Sequence, residues 1–108
     1  MLNTRGVEKL VTHRIDDVPE KTIRMISEKA AVYGSKAIVV MVATELLIRQ
    51  KKPIRVRYQA KKEGKKETLF ISLRPRTIQL LNRLTPVYGT RGEVMMACGE
   101  ILRNKGKD

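Results

Sequence analysis

Thr22-Ile23 … Val32-Tyr33-Gly34-Ser35-Lys36 … Met41 … Glu45 … Leu47 is answered 55 residues later by Thr77-Ile78 … Val87-Tyr88-Gly89-Thr90-Arg91 … Met96 … Glu100 … Leu102. Nine of the 29 aligned positions from Thr22 to Gln50 are identical, Val39 with Val94 among them. Ser35 against Thr90 and Lys36 against Arg91 are conservative exchanges. A unit of this size cannot bury a core of its own, so two copies in one chain are expected to fold onto each other.

Working outward from the repeat, each copy reads as two helices. In the first, Ile23, Ile26, Ala30 and Tyr33 recur at helical spacing on one face. Asp17-Val18-Pro19-Glu20 reads as the start, with Asp17 as cap, Glu20 completing a capping box and Pro19 in the first turn. Gly34 ends that helix and Ser35 caps the next, which runs to about Gln50. The run from Ala37 to Ile48 is rich in Val and Ile and taken alone could be a strand. Its counterpart decides for a helix, because Val94 to Leu102 has few β-branched residues and opens on the capping box Thr90-Arg91-Gly92-Glu93. Being apolar nearly all round, the first of these two helices is expected to be central and buried. Pro86 is expected to end or kink the first helix of the second copy near Leu84.

A short strand precedes each helix pair. In the second copy Leu69, Ile71 and Leu73 alternate with Thr68, Phe70, Ser72 and Arg74. In the first, Val11 and Ile15 face inward with His13 between them, leaving Leu10, Thr12 and Arg14 outward. Aligning the two strands requires about three surplus residues in the first copy, around Asp16 to Val18. Between the copies, Arg49 to Lys66 holds nine Lys or Arg against one Glu, a local charge of +8. Its front half, Ile54 to Gln59, alternates like a strand, and Lys61 to Lys66 reads as a turn. A hairpin strand and an unstructured basic linker both fit this segment.

The whole chain carries 23 Lys plus Arg against 11 Asp plus Glu, a formal charge of +12 over 108 residues. So large an excess on so small a body favours a polyanionic partner, most often nucleic acid. His13 is the single histidine and Cys98 the single cysteine, which excludes an internal disulfide and a Cys/His metal cluster. Cys98 reads as a small buried hydrophobe. No signal-peptide pattern or membrane-length apolar run occurs, so a cytoplasmic location is expected, in the host cell if the protein is viral.

Strand, helix, a Gly-Ser/Thr-basic turn and a second helix resemble the ribbon-helix-helix family, which includes the phage Arc and methionine repressors. The most specific matches are Tyr33-Gly34-Ser35-Lys36 and Tyr88-Gly89-Thr90-Arg91-Gly92-Glu93, and Leu73-Arg74-Pro75-Arg76-Thr77-Ile78 resembles the family's strand-to-helix junction. Members usually fold as intertwined homodimers that pair one strand from each subunit. This chain looks like a tandem version carrying both halves, similar to regulators found in archaeal viruses. The fold expected is therefore mainly α with a small antiparallel β ribbon, a tandem ribbon-helix-helix pseudo-dimer in one chain. The units are bounded at 9–50 and 67–105, with the basic linker at 51–66, and 1–108 forms a single intertwined domain. Pro86, the imperfect first strand and the 54–66 segment depart from the family pattern.

The resemblance implies a transcription regulator, repressor or activator, that inserts its ribbon into the major groove of double-stranded DNA. Thr12, Arg14, Phe70, Ser72 and Arg74 are the residues expected to meet base edges. The start of each second helix, Ser35 with Lys36 and Thr90 with Arg91, is expected on phosphates, as are Lys61, Lys62, Lys65 and Lys66. The outward chemistry of the two strands differs, so an asymmetric site is expected. Self-association along DNA is also in keeping with one small ribbon covering few base pairs.

Three other functions compete. An architectural protein coating DNA with little sequence preference would suit the +8 linker. RNA binding through the sheet would need more outward aromatics than Phe70. A nuclease would need carboxylates around a metal, and Asp16, Asp17 and Glu20 are the one tight acidic group, two of them explained as helix caps. Enzymatic activity, cofactor, metal, membrane and small-molecule ligand are accordingly not expected.

Overall fold

A computed structural model describes residues 10–54 and 65–105. Strand β1 (Val11–Pro19) leads into helices α1 (Glu20–Tyr33) and α2 (Lys36–Arg49). Strand β2 (Lys66–Leu73) leads into α3 (Pro75–Tyr88) and α4 (Arg91–Lys105). The molecule is thus mainly helical with one two-stranded antiparallel sheet, and the same order of elements occurs twice. The hairpin considered for Ile54 to Gln59 and the turn containing Lys61 and Lys62 lie outside the described residues, apart from Ile54 itself and Lys65 and Lys66.

The turns between paired helices are built alike. Gly34 and Gly89 both adopt φ 114°, a conformation costly for any side chain, and each amide donates back into the preceding helix, to Ala30 O at 2.8 Å and Thr85 O at 2.7 Å. The hydroxyl of Ser35 then accepts from the Ile38 amide at 3.2 Å, and that of Thr90 from the Glu93 amide at 3.1 Å. The start of α1 differs from expectation. Asp17 is no cap, because β1 continues to Pro19 and α1 begins at Glu20. The Glu20 amide instead donates to Lys65 O at 3.1 Å, so the chain leading into β2 satisfies the helix end that a capping side chain would have served. Pro86 neither ends nor visibly interrupts α3, which continues to Tyr88. It falls in the last turn, so the ladder loses one amide donor there but no further turn has to follow it. The Thr85 hydroxyl beside it donates to Leu81 O at 2.7 Å.

Register explains one of the surplus residues in the first copy. Val11 pairs with Leu73, Thr12 with Ser72, His13 with Ile71, Arg14 with Phe70 and Ile15 with Leu69, but Val18 then pairs with Glu67. Asp16 and Asp17 together therefore oppose Thr68, a bulge, with Asp17 at φ 58°. Asparagine and aspartate enter this left-handed region more readily than other side chains. Gly92, in the first turn of α4, lies against this bulge. A Cβ there would stand 2.7 Å from Asp17 O and 2.9 Å from Asp16 O, both backbone atoms. The equivalent position in the first copy is Ala37, and β2 has no bulge. We expect Gly92→Ala to destabilise the fold by about 1–3 kcal/mol, the range for overpacking. Urea denaturation checks it, and an unchanged midpoint would contradict the packing described.

One core draws on both copies: Ile15, Val18, Ile26, Val39, Val40, Ala43 and Leu47 join Leu69, Ile71, Leu73, Leu81, Leu84, Val94, Met95, Ala97, Cys98 and Leu102. The most enclosed helix is α4 rather than α2. It packs on α1, α2, α3 and β1 and buries Val94, Met95 and every residue from Ala97 to Leu102. In α2, Ile38, Met41, Val42, Leu46 and Ile48 are only half-buried. The ion pair of Arg76 with Glu45, Nε to Oε2 at 2.8 Å, joins α3 to α2 and holds the Glu45 carboxyl below its ordinary range. Among the described residues no single helix is long and apolar enough to cross a membrane.

Two inward positions on β1 depart from the expected pattern. Val11, at the end of the ribbon, is 46 % exposed although its partner Leu73 is fully buried. His13 is half-buried, and its Nε2 is enclosed with no hydrogen-bond partner. Burial, then the charge of Arg91, lowers its pKa from the ordinary 6.5. An imidazole whose pKa is depressed on folding binds protons more readily in the unfolded chain. Stability should therefore decline as pH falls below about 6.5. In His13→Ile, thermal melts should lose this part of the acid dependence. The same acid dependence in the variant would assign it to other groups.

Candidate nucleic-acid interface

Alternation along both strands puts every second side chain on the face turned away from the helices. On that face, register sets Thr12 beside Ser72 and Arg14 beside Phe70. Thr12 and Arg14 are exposed, Ser72 is half-buried, and Phe70 is 65 % exposed, so the chain's one phenylalanine is spent on solvent rather than on the core. A single exposed apolar side chain is ordinary on a protein surface, so this face is a candidate through the set of groups gathered on it rather than through Phe70 alone. Arg74, next to the ribbon, is also exposed.

The sequence groups these residues by strand; the pairing groups them by end. One end of the face carries Thr12 and Ser72, whose hydroxyls lie 3.3 Å apart. The other carries Arg14 and Phe70, with Asp16 and Thr68 next along the strands. Arg14 Nε donates to Asp16 Oδ1 at 2.9 Å, and the Thr68 hydroxyl donates to the same oxygen at 3.1 Å. Those two bonds, the arginine's first, lower the Asp16 carboxyl pKa. Asp16 and Thr68 are not among the base-contacting residues expected from the sequence. The three surplus residues around Asp16 mark the place, but only the bulge shows that this carboxylate reaches Arg14.

Helix α4 packs on β1, with Gly92 of its first turn against the bulge, and α2 packs on β2. Ser35 and Lys36 open α2, with Lys36 exposed. At the start of α4 the Arg91 Nη2 donates to Asn82 Oδ1 at 2.6 Å, and the Glu93 carboxylate accepts from the Thr90 hydroxyl at 3.3 Å. Ile38 occupies the place of Glu93 in the first copy. The two helix starts therefore offer an anion different surroundings: a cap and a solvent-facing cation at α2, a cap with a tethered cation and a nearby carboxylate at α4. Lys65 and Lys66 are exposed at the start of β2.

Comparison with protein-family models, with curated proteins and with solved structures finds no match. The chemistry of the surface must therefore carry the functional argument. Among the described residues no group of three His, Cys, Asp or Glu side chains is placed to hold a metal ion. The acidic trio noted in the sequence is divided: Asp16 serves Arg14 and Thr68, while Glu20 pairs with Arg24 at 3.2 Å. Cys98 is buried, which pushes its thiol up to about 12, so it is protonated at neutral pH.

Proposed function

We propose that this chain is a sequence-specific regulator of transcription that binds double-stranded DNA as a tandem ribbon-helix-helix pseudo-dimer. The β1–β2 ribbon enters the major groove, whose width admits two antiparallel strands. Thr12, Arg14, Phe70, Ser72 and Arg74 face the bases, and the starts of α2 and α4 lie on the phosphates of either side. The observation that carries the reading is the outward face of the ribbon: a guanidinium, hydroxyls and an exposed aromatic side by side, in a chain of formal charge +12.

The pseudo-symmetry is supported by the register itself. Once the three surplus residues are set aside, His13 and Ile71 occupy equivalent places in the two copies, and they are also partners across the ribbon. A two-fold axis relating the copies would pass between them. The axis leaves the scaffold equivalent and the message unequal, since Thr12 corresponds to Phe70 and Arg14 to Ser72. One chain is thus expected to prefer an asymmetric site.

The +8 charge of Arg49 to Lys66 favours a second reading, an architectural protein that coats DNA. Selection from a random pool of duplexes, followed by affinities at one fixed salt concentration, separates the two. A regulator should prefer its selected site over random DNA by about 10³-fold or more. A ratio near one would establish the coating protein instead, and a perfectly palindromic optimum would contradict the asymmetric site.

A further inference from the structure

The outward face holds one group that a DNA-binding surface would ordinarily exclude, the Asp16 carboxylate. Phosphates repel it, and nothing in a general attraction for DNA accounts for its place on the ribbon. Its position is nevertheless built with care. The bulge adds a residue to β1 at this point, Asp17 takes up φ 58°, and α4 approaches so closely at Gly92 that a Cβ there would meet the bulge carbonyls. Thr68, from the opposite strand, donates to Asp16 Oδ1 at 3.1 Å. The same oxygen accepts Nε of Arg14 at 2.9 Å.

We propose that Asp16 is a positioning residue that fixes Arg14 to read a guanine, so that the Arg14–Phe70 end of the ribbon supplies most of the sequence preference. The inference rests on the DNA-binding reading above and names the half-site that reading leaves open. With Nε engaged by the carboxylate, the two Nη groups are the donors left for a base edge. Guanine presents two acceptors in the major groove, O6 and N7, that match such a fork. Adenine offers N7 beside an amino donor, and cytosine offers an amino donor, so each leaves part of the fork unmet. An arginine already held in one geometry loses less side-chain freedom on binding and adapts less easily to a wrong base.

Phe70 stands directly across the ribbon from Arg14, close enough to share neighbouring base pairs with it. The thymine C5-methyl is the apolar feature of the major groove, so Phe70 favours a thymine adjacent to that guanine. At the other end, the Thr12 and Ser72 hydroxyls each donate or accept and already lie within bonding distance of one another. Groups of that kind serve several bases, and the preference there is correspondingly shallow.

The test compares the full-length wild type with Asp16→Ala and Asp16→Asn, using site selection from random duplexes and affinities for the selected and a scrambled duplex at one salt concentration. The wild type should select a site with a guanine beside a thymine in one half and weak preference in the other. For Asp16→Ala, scrambled DNA should bind more tightly, since a negative charge leaves the surface. Its advantage for guanine should fall by about tenfold, within the range of one bidentate contact. Asp16→Asn, which retains an acceptor for Nε and Thr68, should recover part of that advantage. Equal loss on both duplexes would make Asp16 merely structural, and an undiminished guanine preference in Asp16→Ala would also overturn the proposal. Either failure leaves the DNA-binding reading standing if the wild type still selects a site. A wild type that binds DNA with no preferred site removes both this proposal and the sequence-specific reading.

Discussion

DNA affinity is expected to fall by about a thousandfold as salt rises from 50 to 200 mM, taking roughly six neutralised phosphates and a log–log slope of about −0.9 per contact. The cations available for those contacts are Lys36, Arg74, Lys65 and Lys66 among the described residues, Arg91 in its tether to Asn82, and Lys61 and Lys62 in the basic linker. Counterion release, rather than any single hydrogen bond, sets this magnitude, so it should be nearly the same for specific and random duplexes. Replacing Lys61, Lys62, Lys65 and Lys66 by alanine should weaken both alike and flatten the slope by up to about 3.6, four contacts' worth. Fluorescence anisotropy across a salt series measures it. An unchanged slope would mean that this segment faces away from DNA.

The largest effect on stability is expected for Leu73→Ala. Leu73 is fully buried at the end of β2, in the core that both copies share. Truncating such a side chain removes its transfer free energy and leaves a cavity, together about 2–5 kcal/mol. That is a large share of the 5–15 kcal/mol by which a domain is ordinarily stable. Val11, its partner across the ribbon, is the control. Being 46 % exposed, it should cost less than about 1 kcal/mol as Val11→Ala. Equal losses at the two positions would show that the ribbon end is packed differently from the arrangement described.

What was legible in the sequence divides by the range of the interactions that decide it. Local signals located the helix pairs well. Gly34 and Gly89 end helices, Ser35 and Thr90 cap the next, and the α2 region, ambiguous on propensity alone, is helical as its counterpart implied. Alternation placed Thr12, Arg14 and Phe70 outward and Ile15, Leu69, Ile71 and Leu73 inward. Signals with two local solutions misled. Asp17 suits a helix cap and a left-handed bulge equally, and the choice was made by pairing with a strand some 50 residues away. Pro86 breaks a helix only where turns must follow it, and here the helix was about to end. The apolar surface of α2 suggested the central place that α4 takes, because burial depends on which neighbours arrive and not on composition alone.

The candidate site shows the same limit. Its outward residues follow from period-two alternation, but their grouping does not. Thr12 belongs with Ser72 and Arg14 with Phe70 only because the register centres on His13 and Ile71. The Asp16–Arg14–Thr68 contact depends on that register and on the bulge together. Neither could be read from either copy alone.

Methylation interference on the selected site is the most direct test of the central claim, that the ribbon reads bases from the major groove. Dimethyl sulfate marks guanine at N7, on the major-groove edge, and adenine at N3, on the minor-groove edge. Binding should be blocked by N7 methylation at the guanine assigned to Arg14 and left intact by N3 methylation of the adenines. Interference from N3 positions alone, or from no base at all, would contradict a ribbon in the major groove.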